Sequence, residues 1–195
     1  MKETPLCKLA LKYGTDKCPK IKHSYTPYYY KLLKGRKRSI KKVLEIGVGY
    51  PTDMKHCVYY GRPYQVGASL RMWRDFFPNA MVYGCDIAPQ AIFEDDRIKT
   101  FYCNQGDELG LDELIEKTGT DIDLVIDDGS HECGHQISTC LHLMPKLKKS
   151  AIYIIEDVSS TRLVVGSMRA KFKNVKLAKF KSVKTQDDNL VIVKK

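Results

Sequence analysis

Short runs of aliphatic and β-branched residues alternate along this chain with longer stretches in which apolar positions recur every three or four residues. The runs are Val43–Val48, Ala80–Asp86, Ile98–Tyr102, Ile122–Ile126 and Ala151–Ile155. An apolar run of four to seven residues reads as a strand buried on both faces, as in a parallel sheet. Between them lie helical patterns. Glu3–Lys12 carries Leu6, Leu9 and Ala10, with Pro5 in its first turn and Gly14 as its stop. Leu70, Met72, Trp73, Phe76 and Phe77 form a second apolar stripe that Ser69 can cap. Asp107 can cap a third helix through Leu109, Leu114 and Ile115, which Gly119 ends. A fourth runs from Cys133 to Leu147 with Ile137, Cys140, Leu141 and Met144 on one face. Asn174–Lys181 and Leu190–Val193 read as two closing strands joined at Thr185–Asn189. The pattern predicts an α/β fold: a doubly wound seven-stranded sheet, mostly parallel, with an antiparallel C-terminal hairpin strand.

The strands end in chemistry. The run from Ile122 stops at Asp127, Asp128, Gly129, Ser130 and His131, and the run from Ala151 stops at Glu156 and Asp157. Open α/β sheets bind ligands outside the carboxyl ends of their strands. If the two strands are neighbours, four carboxylates and a histidine meet at one point, where they repel unless protons or a cation neutralise them. Oxygen donors favour magnesium, calcium or manganese over zinc. A zinc site from His131, His135 and His142 with Cys133 or Cys140 is the weaker reading, because no cysteine pair closes it. His131 itself is either a proton acceptor or a turn histidine.

Val43–Gly49 is a strand running into a Gly-x-Gly turn, with Glu45 inside it. Thr52 stands where a dinucleotide fingerprint needs its third glycine, which argues against a nicotinamide oxidoreductase. Asp86, at the end of the next strand, is suited to hold two ribose hydroxyls, or else to cap a turn. Near the amino terminus, Gly14–Lys17, His23, Tyr25 and Tyr28–Tyr30 form either a capped turn with an aromatic-docked helix or a lid over a ligand.

Composition changes the picture only slightly. The length of 195 residues suits one domain. A net charge of +10 suggests an anionic partner or a solvated lysine surface. The basic residues form no arginine-rich block with interleaved aromatics, so nucleic acid is disfavoured. The seven cysteines make no Cys-x-x-Cys pair, and Cys85 and Cys103 look like small buried hydrophobes. Without a leader pattern or a long apolar stretch, the expectation is a cytoplasmic chain with reduced thiols and no membrane contact.

Taken together, Tyr-Gly-Thr-Asp-Lys at 13–17, His23 with Tyr25, Leu-Glu-Ile-Gly-Val-Gly at 44–49, Gly-Ala-Ser-Leu-Arg-Met-Trp at 67–73, Tyr-Gly-Cys-Asp-Ile at 83–87, Gln-Gly-Asp at 105–107, Val-Ile-Asp-Asp-Gly-Ser-His at 125–131 and Ile-Glu-Asp at 155–157 resemble class I S-adenosylmethionine-dependent methyltransferases. More narrowly, they resemble the magnesium-dependent macrolide-sugar O-methyltransferases. The resemblance implies a single Rossmann-like methyltransferase domain, with residues 1–34 as a helical lid segment and 40–195 as the core. It implies S-adenosyl-L-methionine and Mg2+ or Mn2+ as cofactors, and methylation of a sugar or glycan hydroxyl. Asp128, Glu156 and Asp157 would hold the metal, and His131, beside Asp128, would be the general base. Glu45, Gly47 and Gly49 would shape the methionine end of the cofactor pocket. Ser69 and Arg71 would lie near its carboxylate, Asp86 would take the ribose, and Gln105, Gly106 and Asp107 would flank adenine. Thr15, Asp16, Lys17, His23 and Tyr25 would fold over the cofactor, and Asp127 is counted with the same pocket.

The chain has no counterpart of that family's large amino-terminal extension, and Val-Ser-Ser-Thr-Arg follows Asp157 where an aromatic continuation is expected. Both point to a smaller or more exposed sugar than a macrolide's, such as the terminal residue of a glycan. A methyltransferase of RNA or a small catechol, and a non-catalytic cofactor-binding subunit, are the alternatives; a homo-oligomer is compatible with all of them.

Overall fold

The computed structural model describes residues 3–50, 54, 63–180 and 188–195. The elements in chain order are α1 (Pro5–Tyr13), α2 (Tyr25–Leu33), β1 (Lys42–Ile46), α3 (Ala68–Phe76), β2 (Met81–Asp86), β3 (Glu94–Asp95), β4 (Ile98–Tyr102), α4 (Glu108–Thr118), β5 (Leu124–Asp127), α5 (Cys133–Leu143), β6 (Ile152–Ile155), α6 (Thr161–Lys171), β7 (Asn174–Lys179) and β8 (Asn189–Lys194). They form one eight-stranded sheet of order β3-β4-β2-β1-β5-β6-β8-β7. β4, β2, β1, β5 and β6 are parallel, whereas β3, β8 and β7 pair antiparallel to their neighbours. The expected mostly parallel sheet with an antiparallel carboxyl-terminal pair is present. The count rises from seven to eight because Glu94 and Asp95 add an edge strand too short to show periodicity. Most of the expected hairpin connection, and Thr52, lie outside the described residues.

Alternation along the strands sorts the core into two layers. Val43, Leu124, Ile126, Ile152 and Ile154 face α1, α2 and α3, where Leu6, Tyr29, Trp73 and Phe76 meet them. Leu44, Ile46, Val125, Tyr153 and Ile155 face the other way, against Leu114, Ile115, Cys140, Leu143 and Val164 of α4, α5 and α6. Cys85 and Cys103 are buried as expected. Local signals set several helix ends. The Asp107 carboxylate accepts the Leu109 amide, Gly119 closes α4, and Gly14 ends α1 with φ 75°. Ser69 is not the cap of α3: Gly67 holds that position in a left-handed conformation and Ser69 lies inside the first turn. Among the described residues no helix is long and apolar enough to cross a membrane.

The amino-terminal helix is fastened to α3 by a polar knot. Tyr13 and Lys12 both donate to Asp75, at 2.5 and 2.9 Å, and Arg74 donates to Asp75 and to the Tyr13 hydroxyl. Partial burial alone raises the Asp75 pKa, but the hydrogen bonds from Tyr13, Lys12 and Arg74 outweigh it and lower the carboxyl to about 2. A carboxylate depressed in the folded state adds stability above its unfolded pKa of 3.8, and that stability is lost as the pH falls towards 2. In urea denaturation followed from pH 5 to 2, Asp75→Asn should therefore cost about 1–2 kcal/mol at pH 5 and progressively less as the wild type loses its advantage. A constant difference across that range would show that the knot does not rest on the ionised carboxylate.

Candidate functional site

The parallel ladder continues past the last strand residues. Asp128 donates its amide to Ile46, Glu156 to Asp127, and Gly47 to Cys85. These bonds set the residues that follow β1, β5 and β6 side by side at the carboxyl edge. Glu45 pairs with Ile126, and Ile126 with Ile154, so by alternation Glu45, Asp128 and Glu156 project to the α1–α3 face. Asp127 projects to the opposite face. There it is buried, accepting from Gln105 Nε2 at 2.6 Å and Tyr153 at 2.8 Å, and burial raises its pKa to about 7. The acidic meeting point therefore forms, but with Glu45 in place of Asp127.

Lys17 fills its centre. Its Nζ lies 2.5 Å from Asp128 Oδ2, 2.7 Å from Glu156 Oε2 and 3.4 Å from Glu45 Oε1, and its side chain is 1 % exposed. Burial alone lowers a lysine's pKa; the carboxylates of Asp128, Glu156 and Glu45 overcome that and raise it well above its ordinary value. Glu45 also accepts from the Trp73 indole at 2.6 Å, while burial carries its own pKa up to about 7. The other oxygen of Glu156 accepts from Tyr29 at 2.5 Å. Tyr25 donates to Asp157 Oδ1, and His23 stacks on Tyr25 with its ring nitrogens 3.4 Å from Asp157 and 3.5 Å from Asp188. The segment joining α1 to α2 is thus pinned to the strand ends. Lys17, His23 and Tyr25 lie beneath the surface of the site rather than in the cavity wall.

His131 stands at the rim and Asp157 is buried beside it, with φ of 59° and 50°. Left-handed backbone is unusual for residues with a Cβ and is held only when the surroundings over-determine it. His131 Nε2 lies 3.1 Å from Asp128 Oδ1, and Nδ1 lies 3.7 Å from Asp157 Oδ2. Burial alone lowers the His131 pKa, but Asp128, with help from Asp157, outweighs it and raises it to about 9. For Asp128 the reverse holds: burial raises its pKa, and Lys17 and His131 carry it below the usual carboxylate range. One donor atom each from Asp128, His131 and Asp157 lies within 4.8 Å of the others. The carboxylates of Asp128 and Asp157 are the donors that suit a magnesium or manganese ion; the imidazole beside them is not a donor that magnesium favours. Glu156, expected in the same set, instead spends both oxygens on Lys17 and Tyr29. The zinc alternative is not assembled: His135 turns to Ser130 Oγ and His142 to Asp112.

A cavity of about 440 Å³ opens beside this cluster. Of the expected residues, Thr15, Gly47, Gly49, Ser69, Asp86, Gln105, Asp128 and His131 line it; Glu45, Arg71, Gly106, Asp107, Asp127, Glu156 and Asp157 do not. Arg71 turns instead to Asp95 and the Val66 carbonyl, and Asp107 is spent as a helix cap. Asp86 accepts the amides of Val48 and Gly49 at 2.8 and 3.0 Å, fastening the glycine turn to β2. Gly47 has φ 88°, and a Cβ there would stand 2.0 Å from the Asp128 carbonyl oxygen, so the neighbouring strand end itself requires glycine. Gln105 spans the floor, bonding Asp127 with its amide nitrogen and accepting the Ser130 amide. Lys22 and Tyr64 also line the cavity and were not picked out from the sequence, whereas Asp16, Ile87 and Ser130, which line it too, lie in motifs that were.

This sheet order, with the cavity across the ends of β2, β1 and β5, defines a Rossmann-like fold of the methyltransferase type. No family model matches the chain. Its sequence is similar to sugar O-methyltransferases. It is 35 % identical over 156 residues to the 8-demethyl-8-alpha-L-rhamnosyl tetracenomycin-C 2'-O-methyltransferase of Streptomyces olivaceus, covering 80 % of this chain and 38 % of that protein. It is also 35 % identical over 153 residues to the mycinamicin VI 2''-O-methyltransferase of Micromonospora griseorubida, covering 78 % of this chain and 36 % of the relative. The chain thus spans less than two-fifths of the length of the curated relatives it matches. Among solved structures, the MycE methyltransferase in complex with Mg, SAH and mycinamycin VI superposes with a TM-score of 0.76 at 28 % identity, over 99 % of this chain and 55 % of that one.

The density of charge around Lys17 has a measurable consequence. Replacing Lys17 with Met leaves three carboxylates facing one another without their internal cation, and should destabilise the protein by about 3–5 kcal/mol in chemical denaturation at pH 7. An unchanged midpoint would mean that the cluster is neutralised by protons rather than by the lysine.

Proposed function

We propose that the chain is an S-adenosylmethionine-dependent O-methyltransferase acting on a sugar hydroxyl. The observation that carries this reading is that Asp128 and His131, with the buried Asp157 beside them, line the same cavity edge as the Gly47–Gly49 turn and Asp86: Asp128 and His131 are in its wall, and one donor atom of Asp157 lies within 4.8 Å of theirs. Gly47, Gly49 and Asp86 would hold the ribose side of the cofactor, and Gln105 its base. The cofactor supplies a methyl group on a sulfonium. In-line transfer to oxygen breaks the carbon–sulfur bond, forms the carbon–oxygen bond and releases one proton, so much of the rate comes from positioning.

An alcohol is a weak nucleophile until it loses that proton, and His131 is the group at the cavity rim able to accept it. A divalent cation bound by Asp128 and Asp157 would polarise neighbouring sugar hydroxyls and cancel the carboxylate field that otherwise keeps His131 protonated. Lys17 holds Asp128 in place for this role, and Tyr25 holds Asp157. The acidic site favours a neutral diol such as a sugar over the phosphates of nucleic acid. A cytoplasmic location fits a donor that is made and used inside cells.

Two results test the proposal. Methyl transfer to a rhamnoside acceptor should disappear in excess chelator and return with magnesium or manganese. Asp128→Asn and Asp157→Asn should lose it while keeping their circular dichroism; full turnover with chelator would reduce the acidic cluster to a structural part. Separately, His131→Ala should lower kcat by about a hundredfold or more with little change in affinity for S-adenosylhomocysteine. The deficit should shrink at high pH, where hydroxide replaces the missing base. A variant that melts earlier yet turns over normally would assign the proton to another acceptor.

A further inference from the structure

The amino edge of the sheet, opposite the cavity, is basic. β1 starts there at Lys42, β6 at Ile152 and β7 at Asn174, and β8 ends there at Lys194. One buried carboxylate ties the connections together. Asp123 accepts the amides of Lys41 and Lys42 at 2.7 and 3.1 Å and the Lys148 ammonium at 2.6 Å. Arg36 donates to the Ser150 carbonyl, and Lys195 to the Pro145 carbonyl. Residues 34–42, 145–150 and 194–195 therefore lie side by side, with Lys173 next to them before β7. Lys34, Lys37, Arg38, Lys41, Lys149 and Lys173 are exposed. Among the described residues none of them has a carboxylate at ion-pair distance; the pairs on this edge are made by Arg36, Lys42, Lys146 and Lys148. Of the neighbouring acids, Asp75, Asp112 and Asp121 are each paired with another cation. Glu113 and Glu116 lie out on α4, and Asp95 and Asp96 at the turn between β3 and β4. From β1 to β7 the edge crosses four strand spacings, about 20 Å.

Topology explains part of this charge. α2, α4, α5 and α6 end at this edge, where Lys31, Lys117, His142 and Arg169 offset the negative ends of the helices. That effect fades beyond the last turn, so it does not account for Lys37, Arg38, Lys41 and Lys149 on the connections. The cations also crowd one another: burial lowers the Lys195 pKa, and Lys149 lowers it further.

We propose that this edge docks on an anionic lipid surface, with the cavity turned towards water. The inference is independent of the activity proposed for the cavity. All the exposed cations named except Arg38 are lysines, which act as point charges, and a layer of anionic headgroups asks for nothing more. The exposed large apolar side chains, Ile87, Ile92, Tyr102, Leu109 and Leu163, belong to other segments. A single-stranded nucleic acid would find no ring to stack on here, and one arginine gives little readout of bases. Docking of this kind needs no spanning helix. Asp86, Asp128 and Asp157 lie at the opposite edge, which the same surface repels, so both ends orient the molecule alike.

Co-sedimentation with lipid vesicles tests the proposal. The wild type should bind phosphatidylcholine vesicles containing phosphatidylglycerol at about 0.1 M salt, leave them at about 0.5 M, and ignore phosphatidylcholine alone. Lys34→Gln, Lys41→Gln and Lys149→Gln together should weaken binding by about a hundredfold, about fivefold per lysine. The same three positions changed to Arg should bind as the wild type does. Lys8→Gln, Arg162→Gln and Lys179→Gln together, at exposed positions of other surfaces, alter the net charge equally and should cost less than about threefold. Equal losses in the two glutamine sets, binding to neutral vesicles, or no binding to anionic ones overturns the proposal. Retention on a nucleic-acid duplex, at a phosphate concentration where vesicles leave the protein free, overturns it too and assigns the face to nucleic acid.

Discussion

Everything at the carboxyl edge of the sheet depends on one buried ammonium. Three neighbouring strands present acids of the same parity to the same face, where Glu45 and Glu156 are buried and Asp128 reaches the cavity rim. Such a group of charges is tolerated only when the compensation is built in. Lys17 provides it from a segment far away in the chain, with Tyr25, Tyr29 and Trp73 satisfying much of what is left. Docking of the amino-terminal segment and ionisation of the site are consequently one event. The Asp75 knot between α1 and α3 secures the same segment from its other end.

The sheet's two-residue period then divides the labour. Asp127 and Asp128 are adjacent in sequence yet serve opposite faces. One is sealed behind Gln105 and Tyr153, where it fixes the floor of the cavity; the other is shared by Lys17 and His131 at its rim. Gln105 connects the two sides, because its carbonyl holds the Ser130 amide and so the turn that carries His131.

What the sequence made legible was mostly local. Apolar runs ending in acids marked β2, β5 and β6, one running into a Gly-x-Gly turn marked β1, and Asp107 and Gly119 announced the limits of α4. Alternation would also have separated Asp127 from Asp128 had it been carried one residue past the strand. Other features had no local signature. The contacts of Lys17 span 111 and 139 residues, and nothing near position 17 announces them. Arg71 and Ser69 were placed by analogy with a motif. Their actual surroundings are set by Asp95 on an edge strand of two residues and by Gly67, whose left-handed backbone takes the capping position. Asp16 and Lys22 come together through a turn closed by backbone bonds, and side-chain patterns do not report those.

The left-handed backbone at His131 and Asp157 bears on how this protein can change over time. Both residues occupy conformations that glycine or asparagine adopts with less strain; Asp128 holds His131 there, and Tyr25 holds Asp157. Selection for heat resistance alone would find gains at these two positions and would dismantle the rim in the process. Where the rim no longer mattered, the chain would drift in the same direction, so the identities of residues 131 and 157 in any descendant would record whether the rim is still under selection.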